Sequence, residues 1–241
     1  MKGVVLAGGP GTRLDPLTRV THKHLLPVYD RPAIFHALRT LVDADIGEIL
    51  IVVGGPHADA PKRLLGDGAT LGFGRLRYAL EREERGPASA LLLAERFADA
   101  GPLCVIGGGD IVERNVQRVA DVFRENPVGA KVLLKRVPDP SRHEIARMRD
   151  RRIIGVVERP ARPPSRYAVT GVRFYDATLF DRIRALRVAR ERLELADVDD
   201  AYARSDSLSH AILRGWWIAA ETFEDLATAS SLVARGGVNK L

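Results

Sequence analysis

The chain is poor in cysteine, because Cys104 is its one thiol among 241 residues. A single cysteine excludes an internal disulfide framework and a zinc site built from several cysteines. Cys104 lies within an apolar stretch, which is typical of a small buried side chain. This cysteine usage is that of a protein from a reducing compartment, and we expect a cytoplasmic location.

Long apolar runs are also missing from the sequence. The apolar part of the N-terminal MKGVVLAGG is too short for the core of a secretion signal. No other stretch approaches the roughly 20 apolar residues that a membrane-spanning helix needs. We therefore expect a protein without a membrane partner.

Aromatic residues make up only 6% of the chain, although the formal net charge is +6. Proteins that bind single-stranded nucleic acid combine a basic groove with aromatic side chains on which bases stack. Here the charges are interspersed, as in EREERG, and no long basic run contains aromatic residues. We therefore expect no nucleic-acid partner, and the basic excess suits a small anionic substrate.

Short β-branched runs alternate with helical patterns in the first half of the chain. GVVLAGG, EILIVVGG and LCVIGGG predict strands, whereas RPAIFHALRTLVDADI and ASALLLAERFADA predict helices. Asp30 is the predicted N-cap of the first helix, and Pro32 lies near its first turn. This alternation indicates an α/β fold with a mostly parallel sheet.

The second half of the chain adds strands of mixed direction. AKVLLKRV, IIGVVERP, YAVTGVRFYD and GWWIAA predict strands, whereas ATLFDRIRALRV, VDDAYARS and a segment from about Thr222 predict helices. The proline-rich ERPARPPSRY predicts a surface loop. Since the sequence shows no internal repeat, residues 1–241 are predicted to form a single mixed-sheet domain.

Glycines follow each of the three strands of the first half, at residues 8–9, 54–55 and 107–109. Open α/β sheets bind ligands beyond the carboxyl ends of their strands, where the backbone comes close to the ligand. One glycine pair alone is equally consistent with an ordinary tight turn. Three at corresponding positions predict a binding site along this edge of the sheet.

The stretch LAGGPGTRLDPLT adds phosphate-binding chemistry at the first strand end. Gly8, Gly9 and Gly11 offer backbone N–H groups to phosphate oxygens, and Arg13 adds a cation with bidentate geometry. Lys23 follows ten residues later as a second cation. The stretch lacks the Gly-Lys-Ser/Thr ending of a P-loop and the third glycine of the dinucleotide fingerprint. Together these residues predict a polyphosphate site.

LAGGPGTRLDPLT followed by KHLLPVYDRPAIFHAL resembles the opening of the sugar-1-phosphate nucleotidyltransferases, in particular the short glucose-1-phosphate thymidylyltransferases. LLGDGATLGFGRLRYALE, ERP, YAVTGVRFYD and LELADVDDAY have counterparts in the same order. The resemblance implies a Rossmann-like nucleotidyltransferase fold, in which helices flank a mixed, mostly parallel central sheet. It also implies a homo-oligomer and a magnesium cofactor.

The reaction implied by the resemblance joins a sugar 1-phosphate to a nucleoside triphosphate. The sugar phosphate attacks the α-phosphorus and pyrophosphate leaves. Arg13 then stabilises the pyrophosphate and Lys23 the phosphates of both substrates, as expected where catalysis depends on positioning and charge neutralisation. The nucleotide-binding residues implied by the resemblance are Leu6, Ala7, Gly8, Gly9, Gly11, Thr12, Glu81 and Gly86.

Recognition of the base and of the sugar departs in part from the family pattern. Glu81 occupies the position of a base-reading Gln, and a carboxylate only accepts hydrogen bonds, so it favours a base edge that presents a donor. Gly86 matches the glycine whose backbone contacts the base. The sugar-binding residues implied by the resemblance are Glu158, Arg159 (in place of a Lys), Val169, Thr170 and Gly171.

The acids that bind magnesium in the family are the largest departure. A gapless alignment places Gly108 at the first acid, so that Asp110 falls two positions late. Two residues of extended chain move a carboxylate by about 6.5 Å, too far for a metal bond of about 2.1 Å unless the glycines bulge. The second acid falls at Ala219 or Ala220, next to Glu221. Asp110 is the candidate metal ligand, and a site of two carboxylates is not expected.

The stretch SRHEIARMRDRR also departs from the family, because His143, Glu144 and Ala146 replace residues that face the sugar. Three interpretations stay open. The chain is an active nucleotidyltransferase with an unusual metal site or acceptor, or a nucleotide or sugar-phosphate binding protein without transfer chemistry, or an enzyme of different chemistry on the same scaffold. Arg13 and Lys23 favour the first, and the missing acids favour the other two.

Overall fold

The computed structural model describes residues 1–240, which form strands and helices in alternation. The strands are β1 (Lys2–Ala7), β2 (Pro27–Val28), β3 (Arg31–Pro32), β4 (Glu48–Val53), β5 (Arg75–Leu80), β6 (Leu103–Gly107), β7 (Asp110–Val112), β8 (Ala130–Arg136), β9 (Glu144–Arg149), β10 (Arg152–Glu158), β11 (Tyr167–Tyr175), β12 (Leu208–Ile212) and β13 (Trp217–Ala219). The α-helices are α1 (Ala33–Val42), α2 (Ala60–Leu65), α3 (Pro87–Ala90), α4 (Glu95–Ala98), α5 (Gln117–Glu125), α6 (Leu179–Arg187), α7 (Leu195–Arg204) and α8 (Phe223–Gly236).

A nine-stranded mixed sheet forms the centre of the molecule. Its main path runs β10-β9-β11-β6-β1-β4-β5, while β8 pairs with β11 and β12 pairs with β8. Strands β6, β1, β4 and β5 are parallel, and β11 runs antiparallel to β6. The predicted α/β fold with a mixed, helix-flanked sheet is confirmed.

The two faces of the sheet bury separate apolar clusters, as the alternation of side chains along β1 requires. Val5 packs on one face together with Leu38 of α1. Val4 packs on the other face with Leu91 and Phe97. Both faces are therefore covered by helices, which explains why β1, β4 and β6 are nearly continuous apolar runs. Among the described helices, none has the length and apolarity needed to cross a bilayer.

The prediction that Asp30 caps the first helix is wrong, because α1 begins at Ala33. Strand β3 still pairs with β2 at this point, so the chain remains extended up to Pro32. Asp30 instead accepts a hydrogen bond from Nη2 of Arg31 at 2.6 Å. The cap prediction failed because the pairing of β2 with β3 delays the helix.

Other element boundaries also differ from the sequence pattern. The helix predicted over ASALLLAERFADA is divided into α3, a 3-10 turn over Leu91–Ala94, and α4. Strands β7, β9 and β12 carry no clear alternation, and β7 is only three residues long. Strand β7 pairs with β13 in a separate two-stranded sheet, a tertiary contact that a local sequence pattern does not reveal.

Candidate active site

A cleft with a volume of about 670 Å³ lies at the carboxyl ends of the parallel strands. The loop after β1, the glycines after β6 and the segment after β5 all line it, because these strands are neighbours in the sheet. Every predicted site residue lines this cleft except Ala7 and Thr170, which are fully buried. The Ala7 carbonyl oxygen lies 3.1 Å from His22 Nε2, and the Thr170 carbonyl accepts from Arg173 Nη1 at 3.0 Å.

The glycine-rich loop after β1 is shaped around Lys23. Gly9 and Gly11 both have a positive φ, of 84° and 71°, a conformation that favours glycine. A Cβ atom on Gly9 would lie 3.1 Å from Lys23 Nζ, and one on Gly11 would lie 3.1 Å from Lys23 Cβ. The loop backbone thus contacts the whole length of this lysine, which places its ammonium group beside Gly9.

Residues 54–55 after β4 support the cleft and are absent from its described lining. A Cβ atom on Gly55 would lie 2.7 Å from the Gly9 carbonyl oxygen. A Cβ atom on Gly54 would lie 3.0 Å from Glu81 Oε2. These glycines therefore allow the neighbouring loop and the Glu81 carboxylate to approach the strand end, a supporting role that differs from the predicted contact with ligand.

The two predicted catalytic cations have different surroundings. Lys23 is half-buried and makes no hydrogen bond or ion pair with the described residues, and burial lowers the pKa of its ammonium group while Glu221 opposes that change. Arg13 is exposed and pairs with Glu221. Glu221 also contacts Arg159, with 3.4 Å between Nη2 and Oε2. Glu221 therefore brings together one predicted catalytic cation and one predicted sugar-binding cation.

The wall of the cleft formed by β9 and β11 contains a buried ion network, shared with α7, that sequence analysis missed. Arg173 on β11 is 3% exposed and donates from Nε to Asp199 Oδ2 at 2.9 Å. Its Nη2 pairs with Glu144 on β9, and Tyr175 donates to Asp199 Oδ1 at 2.7 Å. The available signal was a charged residue within the otherwise apolar strand YAVTGVRFYD, since buried arginines are almost always paired.

Glu144, which sequence analysis placed in an altered sugar pocket, lines the cleft together with Glu158 and Arg159. Burial raises the pKa of the Glu158 carboxyl, and the charge of Glu194 raises it further. The charge of Arg159, whose Nε lies 3.4 Å from Glu158 Oε1, opposes this rise. His143 also lines the cleft, where its ring lies 5.3 Å from that of Trp217. This wall of the cleft therefore presents several carboxylates, and Arg159 and Arg173 are already paired with two of them.

Asp110 is the first residue of β7, and its carboxylate is buried over two glycines. Oδ1 accepts hydrogen bonds from Trp217 Nε1 at 2.7 Å and from the Gly171 N–H at 3.2 Å. A Cβ atom on Gly107 would lie 2.3 Å from Oδ2, and one on Gly171 would lie 1.9 Å from it. Burial raises the pKa of this carboxyl to about 6, although the bond from Trp217 opposes the rise.

These surroundings do not fit a magnesium site of two carboxylates. Glu221, the acid whose charge acts on Asp110, already pairs with two arginines. A Cβ atom on Gly108 would lie 3.0 Å from the His24 ring, so an acid there would require the buried imidazole to shift by a few tenths of an ångström. Within residues 1–240, no group of three or more His, Cys, Asp or Glu side chains has a metal-binding arrangement. Asp110 as a metal ligand stays a prediction that its environment does not favour.

Comparison with known proteins gives one consistent result. The model of the nucleotidyl transferase family matches residues 2–236. The chain is 37% identical to a glucose-1-phosphate thymidylyltransferase of Actinoplanes sp., over 97% of this chain and 78% of the relative. It is 38% identical to a glucose-1-phosphate thymidylyltransferase of Neisseria gonorrhoeae, over 97% and 82%.

Solved structures give the same match at the level of the fold. A crystal structure from Bacillus anthracis, described as a glucose-1-phosphate thymidylyltransferase in complex with sucrose, superposes with a TM-score of 0.93 at 38% identity, over 98% of this chain and 96% of that one. A UDP-glucose pyrophosphorylase complexed with UDP-glucose superposes with a TM-score of 0.84 at 19% identity, over 97% and 98%. At that lower identity the likeness concerns the fold alone.

Proposed function

The chain belongs to the nucleotidyl transferase family, and on that premise we propose that it joins a nucleoside triphosphate to the phosphate of a sugar 1-phosphate or of a similar phosphorylated acceptor. An oxygen of the acceptor phosphate forms the new bond to the α-phosphorus. The bond from the α-phosphorus to its bridging oxygen breaks, and pyrophosphate leaves with that oxygen. The products are a nucleoside diphosphate sugar, or its analogue, and pyrophosphate.

The observation that carries the proposal is the unpaired ammonium group of Lys23 under the glycine-rich loop. A half-buried lysine without a partner lowers the stability of the empty protein, since a desolvated charge is costly. Phosphate oxygens would compensate this charge, and the backbone N–H groups of Gly8, Gly9 and Gly11 lie beside it to donate further hydrogen bonds.

Arg13 is the second cation of the proposed triphosphate site. Its ion pair with Glu221 is half exposed, with 50% and 42% of the two side chains accessible, so it is weak and easily exchanged. A leaving pyrophosphate carries more charge than Glu221 and presents oxygens that match the guanidinium fork. We assign charge neutralisation on this wall to Arg13 and Lys23, because the residues of the cleft do not fit a two-carboxylate metal site.

The proposed acceptor side lies beneath Glu158, Arg159, Val169 and Gly171, and Glu144 narrows it. A carboxylate held by the buried Arg173 cannot swing away without breaking an ion pair in a site of low dielectric. The acceptor must therefore tolerate a fixed acid in this pocket, and its hydroxyl groups are suitable donors to that acid.

The test measures pyrophosphate release from the purified protein with each nucleoside triphosphate and a panel of sugar 1-phosphates, with magnesium and with a chelator. Arg13→Ala should lower turnover at least tenfold and leave nucleotide affinity nearly unchanged, since its charge matters most as pyrophosphate leaves. Arg19→Ala is the matched control, because Arg19 is exposed, pairs with Asp15 and is absent from the described lining of the cleft.

Two outcomes would contradict the proposal. An equal loss of turnover and affinity in Arg13→Ala, or the loss of neither, would remove Arg13 from the reaction. Nucleotide binding by calorimetry without pyrophosphate release from any acceptor would favour a binding protein without transfer chemistry.

A further inference from the structure

Glu81 gives the cleft, at the end of β5, a carboxylate that pairs with none of residues 1–240. Its backbone N–H donates to the Val53 carbonyl at 2.8 Å, which fixes the residue directly after β5. Its carboxylate makes no hydrogen bond or ion pair with residues 1–240, and only the more distant charges of Glu84, Arg192 and Lys23 influence it. Neither carboxylate oxygen is therefore taken by a donor among the described residues, and the side chain lines the cleft, where a ligand can reach it.

The fold makes room for this carboxylate at two strand ends. A Cβ atom on Gly8 would lie 2.5 Å from Glu81 Oε2, and one on Gly54 would lie 3.0 Å from the same oxygen. Any side chain at Gly8 would displace the carboxylate. Two neighbouring strands thus end in glycines that accommodate Glu81, and its carboxylate occupies a defined position in the cleft wall.

A carboxylate in this position distinguishes bases by their hydrogen-bond donors, because it offers two acceptors and no donor when charged. Thymine and uracil present one N–H between two carbonyl oxygens, and a carboxylate that meets this edge is repelled by the neighbouring oxygen. Cytosine and adenine present one amino group beside a ring nitrogen that accepts. Guanine presents a ring N–H and an amino group side by side, which can meet the two oxygens of one carboxylate.

We propose that Glu81 selects guanine, so that the nucleotide substrate is a guanosine triphosphate. The inference rests on the proposed function, because it requires the base of the nucleotide to occupy this end of the cleft. The backbone N–H of Gly86 lines the same end and donates to no described residue. It is available to an acceptor on the base, as the carbonyl oxygen of guanine would be.

The electrostatics of the empty site support this assignment. Burial raises the pKa of the Glu81 carboxyl, and the nearby charge of Glu84 raises it further. The charged form is therefore poorly stabilised without ligand, and two hydrogen bonds donated by a base would stabilise it. Thymine or uracil would supply one donor and add a repulsive carbonyl.

The experiment measures by calorimetry the binding of guanosine, cytidine, adenosine, uridine and thymidine triphosphates to the full chain, to Glu81→Gln and to Glu83→Gln. The wild-type protein should bind guanosine triphosphate at least about tenfold more tightly than the uridine and thymidine nucleotides, the scale of a charged hydrogen bond. Glu81→Gln should lose most of this preference, because an amide both donates and accepts and so matches an N–H beside a carbonyl, which guanine, uracil and thymine all present.

Glu83→Gln is the matched control and should leave the order unchanged, since Glu83 is exposed, pairs with Arg85 and is absent from the described lining of the cleft. Equal unfolding midpoints would show that both variants fold. Tightest binding of a uridine or thymidine nucleotide by the wild type, or an undiminished preference for guanosine triphosphate in Glu81→Gln, would overturn the role of Glu81. Tightest binding of a cytidine or adenosine nucleotide would overturn the two-donor match with guanine.

Failure of this inference differs from failure of the proposed function. Selective binding of guanosine triphosphate without pyrophosphate release would contradict transfer and retain Glu81 as the base-selecting residue. Pyrophosphate release only from thymidine or uridine triphosphate would confirm transfer and contradict guanine selection. A chain that binds none of the five nucleotides would contradict both.

Discussion

Replacing Asp110 by Asn should stabilise the protein above about pH 6 and leave its stability unchanged below about pH 4. The side chain is only 7% exposed, and Oδ1 accepts from Trp217 and from the Gly171 N–H. An Asn side chain keeps this oxygen as acceptor and replaces only Oδ2. Because Asp110 lines the cleft, water there can accept from the new amide. The substitution therefore removes a buried charge and preserves both hydrogen bonds.

The magnitude follows from the pKa of the carboxyl, which burial raises from 3.8 to about 6 in the folded protein. The folded state binds the proton more tightly than the unfolded state, so stability declines as the pH rises between these two values. Above pH 6 both states have lost the proton, and the full difference of about 3 kcal/mol opposes folding. Below pH 3.8 both states are protonated and the difference vanishes.

The assay is urea unfolding of wild type and Asp110→Asn at pH 8 and at the lowest pH at which the wild type stays folded. The free energy of unfolding should be higher for the variant at pH 8, by up to about 3 kcal/mol, and the gap should close as the pH falls. Asp181→Asn on α6 is the matched control, since that side chain is 85% exposed and its change should be small at both pH values.

Two results would refute this reasoning. A variant of equal or lower stability at pH 8 would show that the Asp110 charge is compensated in the folded protein. Stabilisation of the wild type by magnesium chloride, absent in the variant, would show that Asp110 binds the metal. In that case its pKa would be lowered by the cation, and the variant should also lose turnover.

Two further predictions concern the ion pairs of the cleft. Arg173→Met should lower the free energy of unfolding by about 3–5 kcal/mol, because it leaves the buried charge of Asp199 without its cationic partner. Arg152→Met, in an exposed pair, should cost less than about 1 kcal/mol in the same urea titration, and similar losses in both would contradict the network. Glu221→Gln should free Arg13 for the leaving pyrophosphate and raise kcat up to about fivefold with KM for the nucleoside triphosphate nearly unchanged, and steady-state kinetics that show an unchanged or lower kcat would contradict this competition.

The position of the cleft could be predicted from the sequence because its signals are local. GVVLAGG, EILIVVGG and LCVIGGG each combine an apolar strand with the glycines that follow, and parallel neighbours end at the same edge. The phosphate loop was equally local, since Gly8, Gly9 and Gly11 lie within four residues of one another. These residues are close both in the sequence and in space, so a local sequence pattern was sufficient to predict where the cleft lies.

The ion pairs on the proposed acceptor side could not be predicted because they join distant residues. Glu144, Arg173 and Asp199 come from β9, β11 and α7, and nothing near each of them in the sequence indicates its partner. The ion pair of Arg13 with Glu221 spans 208 positions for the same reason. Whether a charged side chain stays solvated or forms an ion pair depends on tertiary packing, which the local sequence does not determine.

The glycines at the start of the GGG run in VIGGGDI lie close against buried side chains, which explains why larger residues do not occupy these positions. A side chain at Gly107 or at Gly171 would collide with the Asp110 carboxylate, and one at Gly108 would collide with the His24 ring. These glycines accommodate buried side chains of the protein itself, in the space where the resemblance placed a metal ligand. The loss of an acid at 108 and the presence of a histidine at 24 are therefore one packing arrangement. An acid at position 108 would require the His24 ring to shift by a few tenths of an ångström, because the added Cβ atom would lie only 3.0 Å from the ring.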